Sequence, residues 1–200
     1  MTVTKPNKIE ITRNHLLEVG LALFSQRGFH GTGIKEIVDQ ANVPKGSFYT
    51  YFKSKEEFGV EIIKGHSIDF WKKWHECFDD TAPDPLEALR NCFITLLEKH
   101  EVLSVKTFCA VALIAAEICE TSDLCRNATS AIINDMRTNI AVQIDKAQQK
   151  GYARTDVDPQ DAALFFWDAW QGSIVRMKIE NDAAAVTNCL ALFFDRLLRA

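Results

Sequence analysis

The sequence predicts an all-α chain, with an N-terminal three-helix head of the helix-turn-helix kind and a larger helical body, about nine helices in all. Three observations predict it. Apolar residues recur at spacings of three and four along the whole chain, which lines one face of a helix. No run of alternating Val, Ile and Thr bounded by turn residues marks a strand. Glycines, prolines and short polar clusters fall between the periodic segments, where helices would end.

A first helix is expected from about Glu10 to Arg27, with Leu16, Val19, Leu23 and Phe24 inward and Gly28 as its stop. A short second one follows Thr32, with Ile34, Ile37, Val38 and Ala41 as its buried stripe. Asn42 suits a left-handed turn, and Pro44 suits the first turn of a third helix. Ser54 with Glu57 three residues on is a capping box that opens a fourth helix over 55–79. Further helices are expected at 84–100, 104–120, 122–150, 159–181 and 183–199. Their breaks are Ala82-Pro83-Asp84-Pro85, a polar turn near Glu101, Thr121-Ser122, Gly151 and Asn181-Asp182. The head is expected to occupy residues 1–54 and the body 55–200, without internal repeats.

Of the 200 residues 47% are apolar, enough to bury a core without disulfide or metal support. The first twenty residues mix Lys5, Lys8, Glu10 and Arg13, and no later run reaches the length and apolarity of a membrane span, so a cytoplasmic protein is expected. Six cysteines stand singly in apolar contexts, without a CxxC pair or a zinc-site histidine pattern, and are read as reduced thiols with no metal or cofactor. The net charge is −4, yet residues 1–60 hold eight Lys and Arg against six Asp and Glu. That part alone tolerates a polyanion.

Residues 43–59, "VPKGSFYTYFKSKEEFG", crowd rings and lysines together. Phe48 and Phe52 are four apart and share a face that fits packing on the first two helices. Lys45 and Tyr49 share another face, Ser47 and Tyr51 a third, with Thr50 near them, so hydroxyls and ring edges point outward to phosphates and bases. Gly46 lets a backbone come close, and Lys55 stands in the first turn of the next helix, beside free amides.

The stretch "GFHGTGIKEIVDQANVPKGSFYTYFKSKEEF", residues 28–58, resembles the DNA-binding head of the TetR family of bacterial transcriptional regulators. It departs from the family pattern at Gly33, where Ser or Thr is usual, and at Val38, where Ala is commoner. The resemblance implies a homodimer on a near-palindromic operator, its recognition helices about 34 to 36 Å apart. It also implies that Lys45, Ser47, Thr50 and Tyr51 face bases or nearby phosphates while Thr32, Tyr49 and Lys55 hold the DNA backbone.

TetR-like bodies bind a small-molecule effector and dimerise through the last two helices. The final pair suits this, since Leu164, Phe165, Trp167, Ala169, Trp170, Ile174 and Met177, then Val186, Leu190, Leu192, Phe193 and Leu197, are too apolar for free helices. Candidate effector-binding residues are Phe70, Trp71, Trp74, Phe93, Phe108, Cys109, Leu113 and Glu117. "CAVALIAAEIC", with Cys109 and Cys119 ten apart, is similar to the NemR-type branch of the family, which implies sensing of electrophiles and oxidants at Cys109, although Phe108 and Ala110 replace the usual Gly and Leu. The reading is a ligand-responsive regulator, most simply a repressor. A thiol-dependent helical enzyme is the alternative, but His15, His30, His66, His75 and His100 are scattered and form no catalytic motif. A helical adaptor is the other, and it leaves the basic, ring-bearing third helix without a purpose.

Overall fold

The computed structural model describes residues 7–98 and 104–200, apart from the side chains of Lys8, residues 104–110 and Leu113. Nine helices run through the described residues. They are α1 (Lys8–Arg27), α2 (Ile34–Gln40), α3 (Lys45–Tyr51), α4 (Lys55–Cys77), α5 (Pro85–Glu98), α6 (Ser104–Cys119), α7 (Asp123–Gln149), α8 (Pro159–Glu180) and α9 (Ala184–Leu190). α9 continues directly into widened π turns over Ala191–Leu197. The only extended pairing among the described residues is an isolated antiparallel bridge between Ala153 and Arg199.

Local chemistry explains most boundaries. α1 starts two residues before Glu10 because Asn7 caps it: its side chain accepts from the amides of Ile9 (2.7 Å) and Glu10 (3.1 Å), and Glu10 reaches back to the Asn7 amide. Gly28 ends α1 at φ 76°, Asn42 follows α2 at φ 54° and Asn181 ends α8 at φ 52°, the left-handed region expected of such stops. The Ser54 box is half formed. Ser54 Oγ accepts the Glu57 amide at 3.1 Å, but Glu57 turns to the Lys53 amide, at 2.6 Å, instead of that of Ser54. The expected break near Glu101 lies outside the described residues.

The chain divides into two compact units, Met1–Ser67 with Ala110–Ser130, and Ile68–Cys109 with Ala131–Ala200. The first is built on five phenylalanines, with ring centroids 5.2 Å apart for Phe24–Phe29 and Phe48–Phe58 and 4.8 Å for Phe52–Phe58. Phe48 and Phe52 both point into this core, as their spacing predicts. Each buried ring contributes roughly 2 to 3 kcal/mol by area. Two glycines allow close crossings: a Cβ on Gly20 would sit 2.3 Å from the Phe58 ring, and one on Gly59 would sit 2.4 Å from Ile118 Cδ1.

The second unit buries the inner faces of α5, α7, α8 and α9 around Phe93, which meets Phe166 and Trp170 at 4.9 Å each. Buried Asp84 caps α5 by accepting the Leu86 amide at 2.9 Å, and its other oxygen takes the Arg199 guanidinium at 2.5 Å, tying the chain's end to that cap. The last helix has the extent expected over 183–199 but not the winding. Leu198 N donates to Phe193 O at 3.0 Å, and the wider turn lets Phe193 and Phe194 both face inward.

Candidate functional site

α3 presents two faces. Phe48 and Phe52 anchor it, and Lys45, Gly46, Tyr49 and Thr50 are exposed, with Ser47 and Tyr51 partly so. Tyr49 is 54% exposed, a large cost for a ring that serves only packing. Its edge rests on Phe48, centroids 5.5 Å apart, which fixes the direction in which the phenol projects. A Cβ at Gly46 would meet nothing, so the surface is open there to an approaching backbone. Thr50 Oγ1 donates to the Gly46 carbonyl at 3.4 Å and keeps lone pairs for an outside donor. The outward face is therefore a short row of one ammonium, two phenols and two aliphatic hydroxyls on a rigid support.

Two residues expected beside it lie elsewhere. Thr32 is 1% exposed and its hydroxyl donates to the Gly28 carbonyl at 3.0 Å, so it fastens the turn after α1 and offers no side-chain oxygen to a phosphate. Lys55 does not reach outward either: its ammonium lies 4.2 Å from the Phe29 ring centroid and 5.9 Å from that of Phe24. Burial pulls its pKa below the ordinary lysine value, with Glu56 and Glu117 opposing the shift. The Ser54 capping signal placed Lys55 correctly in the first turn, but the Phe29 and Phe24 rings draw its stem inward and hold its ammonium over their faces.

Glu117, an effector-site candidate, accepts the backbone amides of Phe29 at 2.8 Å and His30 at 3.1 Å. Gly28 leaves it room, since a Cβ there would stand 2.9 Å from Glu117 Oε1. The carboxylate satisfies amides that the end of α1 leaves without helical partners. Its partners are 87 and 88 residues away in sequence, so no local pattern could have shown them.

The other described effector candidates do converge, within the second unit. Phe70, Trp71, Trp74 and Phe93 form one aromatic cluster, with centroid distances of 5.9 Å for Phe70–Trp71 and Trp71–Trp74 and 5.5 Å for Trp74–Phe93. Phe93 and Trp74 are buried, and Phe70 and Trp71 are half-buried at its margin. Trp170 meets the same Phe93 ring, and its indole N–H is buried without a hydrogen-bond partner. Its spacing puts Trp170 among the apolar residues of the last two helices, and the unpaired donor emerges only in the fold. A separate open groove of about 610 Å³, lined by Cys77, Pro83, Glu87, Tyr152 and others, touches none of these residues. The side chains of Phe108, Cys109 and Leu113 lie outside the described residues.

On α8 and the end of the chain the apolar residues divide. Trp167, Trp170, Ile174 and Phe193 are core, whereas Phe165 is 57% exposed and Leu192 50%, and Leu164 and Leu197 are also exposed. Among the described residues no three His, Cys, Asp or Glu side chains converge on a metal-sized site. No described helix is long and apolar enough to cross a membrane.

Comparison with known proteins adds the following. Residues 16–62 match the family of bacterial regulatory proteins typified by the tetR family, and residues 84–193 match the tetracyclin repressor-like C-terminal domain. The chain is 31% identical over 186 residues to the HTH-type transcriptional repressor DhaR of Mycobacterium sp. (strain GP1), covering 93% of this chain and 92% of DhaR. It is 27% identical to the HTH-type transcriptional repressor NemR of Escherichia coli (strain K12) over 90% of each chain. The crystal structure of reduced E. coli NemR superposes with a TM-score of 0.78 at 26% identity, covering 95% of this chain and 97% of NemR.

Proposed function

The chain belongs to the TetR family of bacterial regulatory proteins, and from that premise we propose that it is a repressor acting as a homodimer, released from a near-palindromic operator by a small molecule or by modification of Cys109. Residues 1–54 read the DNA and residues 55–200 bind the effector and the second subunit. The observation that carries the reading is the outward face of α3, where exposed Lys45, Tyr49 and Thr50 ride on a buried Phe48 and Phe52. Lys45 and Tyr49 meet phosphates; Ser47, Thr50 and Tyr51 reach base edges in the major groove.

The exposed Phe165 and Leu192 support pairing through α8 and α9 across a twofold axis. The aromatic cluster with its unpaired Trp170 N–H supports a largely apolar effector carrying one hydrogen-bond acceptor. α4 runs through both compact units, so a shift in it on effector binding changes the separation of two heads that must fit successive grooves at once. The protein works by binding DNA in the cytoplasm rather than by turnover.

Selection of duplexes from a random pool tests this. A recovered motif with two inverted half-sites one helical turn apart, bound by a dimer with steep salt dependence, is the expected result. A monomer with no preference among duplexes at low salt would overturn it. For Cys109 the comparison is release by quinones in the native chain and in Cys109→Ser; equal release removes that thiol from the mechanism.

A further inference from the structure

Among the thiols that none of these roles uses, two lie side by side. Cys119 closes α6 and Cys125 lies in the first turn of α7, and their sulfurs are 3.3 Å apart within the first compact unit. A disulfide needs about 2.05 Å, so the sulfurs have only about 1.3 Å to close. Thr129 Oγ1 faces both, 3.8 Å from Cys119 Sγ and 3.7 Å from Cys125 Sγ. Arg126 holds the turn between them by donating to the Cys119 carbonyl and pairing with Asp123. Cys119 is partly exposed and Cys125 fully buried.

We propose that Cys119 and Cys125 are a second modification site, a dithiol that a hydroperoxide converts to a reversible intramolecular disulfide. The Cys119 thiolate attacks the terminal oxygen of the hydroperoxide; the O–O bond breaks, the alcohol (water, for hydrogen peroxide) leaves with the thiol's proton, and Cys119 becomes a sulfenic acid. Cys125 sulfur then attacks Cys119 sulfur, the S–O bond breaks, and the hydroxyl departs as water with the Cys125 proton. Two thiols lose two electrons and one hydroperoxide gains them. Exposure sets this order. The buried Cys125 thiol is also pushed up to about 11, by burial first and by its neighbour Cys119, so it holds its proton and does not compete with Cys119 for the peroxide.

Cys119 lies two residues beyond Glu117, whose carboxylate holds the Phe29 and His30 amides. Closing the sulfurs draws the end of α6 toward α7 and so acts on that grip. The bridge itself does not depend on the DNA-binding reading, and its test uses no DNA.

The full chain carrying Cys109→Ser, which removes a competing thiol, is treated with hydrogen peroxide, alkylated, and cut after Lys, Arg and Glu. Cleavage at Glu117, Glu120 and Arg126 separates fragment 118–120 from fragment 121–126. The expected result is that the two fragments are recovered joined, lighter by two hydrogens than their sum, and parted by dithiothreitol. In the further variant Cys125→Ser the joined species disappears and Cys119 is trapped by dimedone as its sulfenic acid. Hydrogen exchange at the Phe29 and His30 amides should differ between the bridged and reduced forms. Recovery of both fragments separate and alkylated under peroxide that oxidises Cys109 in the native chain, or joined only between two chains, overturns the site. A bridge that leaves the two amides' exchange unchanged overturns its link to Glu117.

Discussion

Removing the Glu117 carboxylate perturbs the head while leaving the outward face of α3 untouched. Two amides donate to it, at 2.8 Å from Phe29 and 3.1 Å from His30. A hydrogen bond to a charged group contributes about 1.5 to 3 kcal/mol net when its partner is withdrawn from water, and far less where water can take its place. The Phe29 bond is partly buried and the His30 bond exposed, so Glu117→Ala should cost about 2 to 3 kcal/mol, nearly all from Phe29. Glu117→Gln keeps one oxygen for that amide and loses only the charge, so about 1 kcal/mol is expected. Denaturant unfolding measures both, and hydrogen exchange at the Phe29 amide localises the loss. Gly28→Ala provides a cross-check: at φ 76°, with its new Cβ 2.9 Å from Glu117 Oε1, it should cost about 1 kcal/mol more in the native chain than in Glu117→Ala, where the steric part is gone. The reasoning fails if the alanine variant unfolds within 0.5 kcal/mol of the native chain, or if glutamine is as damaging as alanine.

Further outcomes follow from the same structure. Lys45→Ala should leave stability within about 0.5 kcal/mol and lower the salt slope of DNA binding by about 1, whereas Tyr51→Phe should change the preferred duplex, both read by binding titrations. Gly59→Ala drives a methyl toward Ile118 and should destabilise by about 1 to 3 kcal/mol in denaturant unfolding, with partial recovery in Gly59→Ala/Ile118→Val. Burial, aided by Cys77, pushes the Cys92 thiol from its ordinary 9.0 up to about 12, so the folded chain keeps a proton that the unfolded chain releases above about pH 9; stability should therefore fall as pH rises toward 12, less steeply in Cys92→Ala. Phe165→Glu on α8 should shift the protein toward monomer in sedimentation while its helical circular dichroism persists.

The architecture was legible because it is written locally. Gly28, Asn42, Pro44 and Asn181 mark ends through backbone preference alone, and the four-residue spacing of Phe48 and Phe52 fixes which side of α3 is inner. What could not be read depends on partners distant in the chain. Lys55 sits in the predicted turn, yet the Phe29 ring decides where its ammonium points. Thr32 has the right chemistry for a phosphate but is covered by the turn it stabilises. Glu117 and Trp170 show the same limit: the orphan amides after α1 and an unpaired indole N–H exist only once separate helices are brought together. Cys119 and Cys125, both visible as isolated thiols, became a pair only through the fold of the α6–α7 turn.

The widened turns over Ala191–Leu197 make the end of the chain tolerant of length change in a way that α8 is not. A π turn holds about one residue more than an α turn, so deleting one residue there can be absorbed by reverting to ordinary winding, with everything beyond it keeping its orientation. The same deletion in α8 would rotate all that follows by about 100° and exchange inner for outer residues. Single-residue gaps tolerated during divergence should therefore collect at 191–197, which can lengthen or shorten while Arg199 still reaches Asp84.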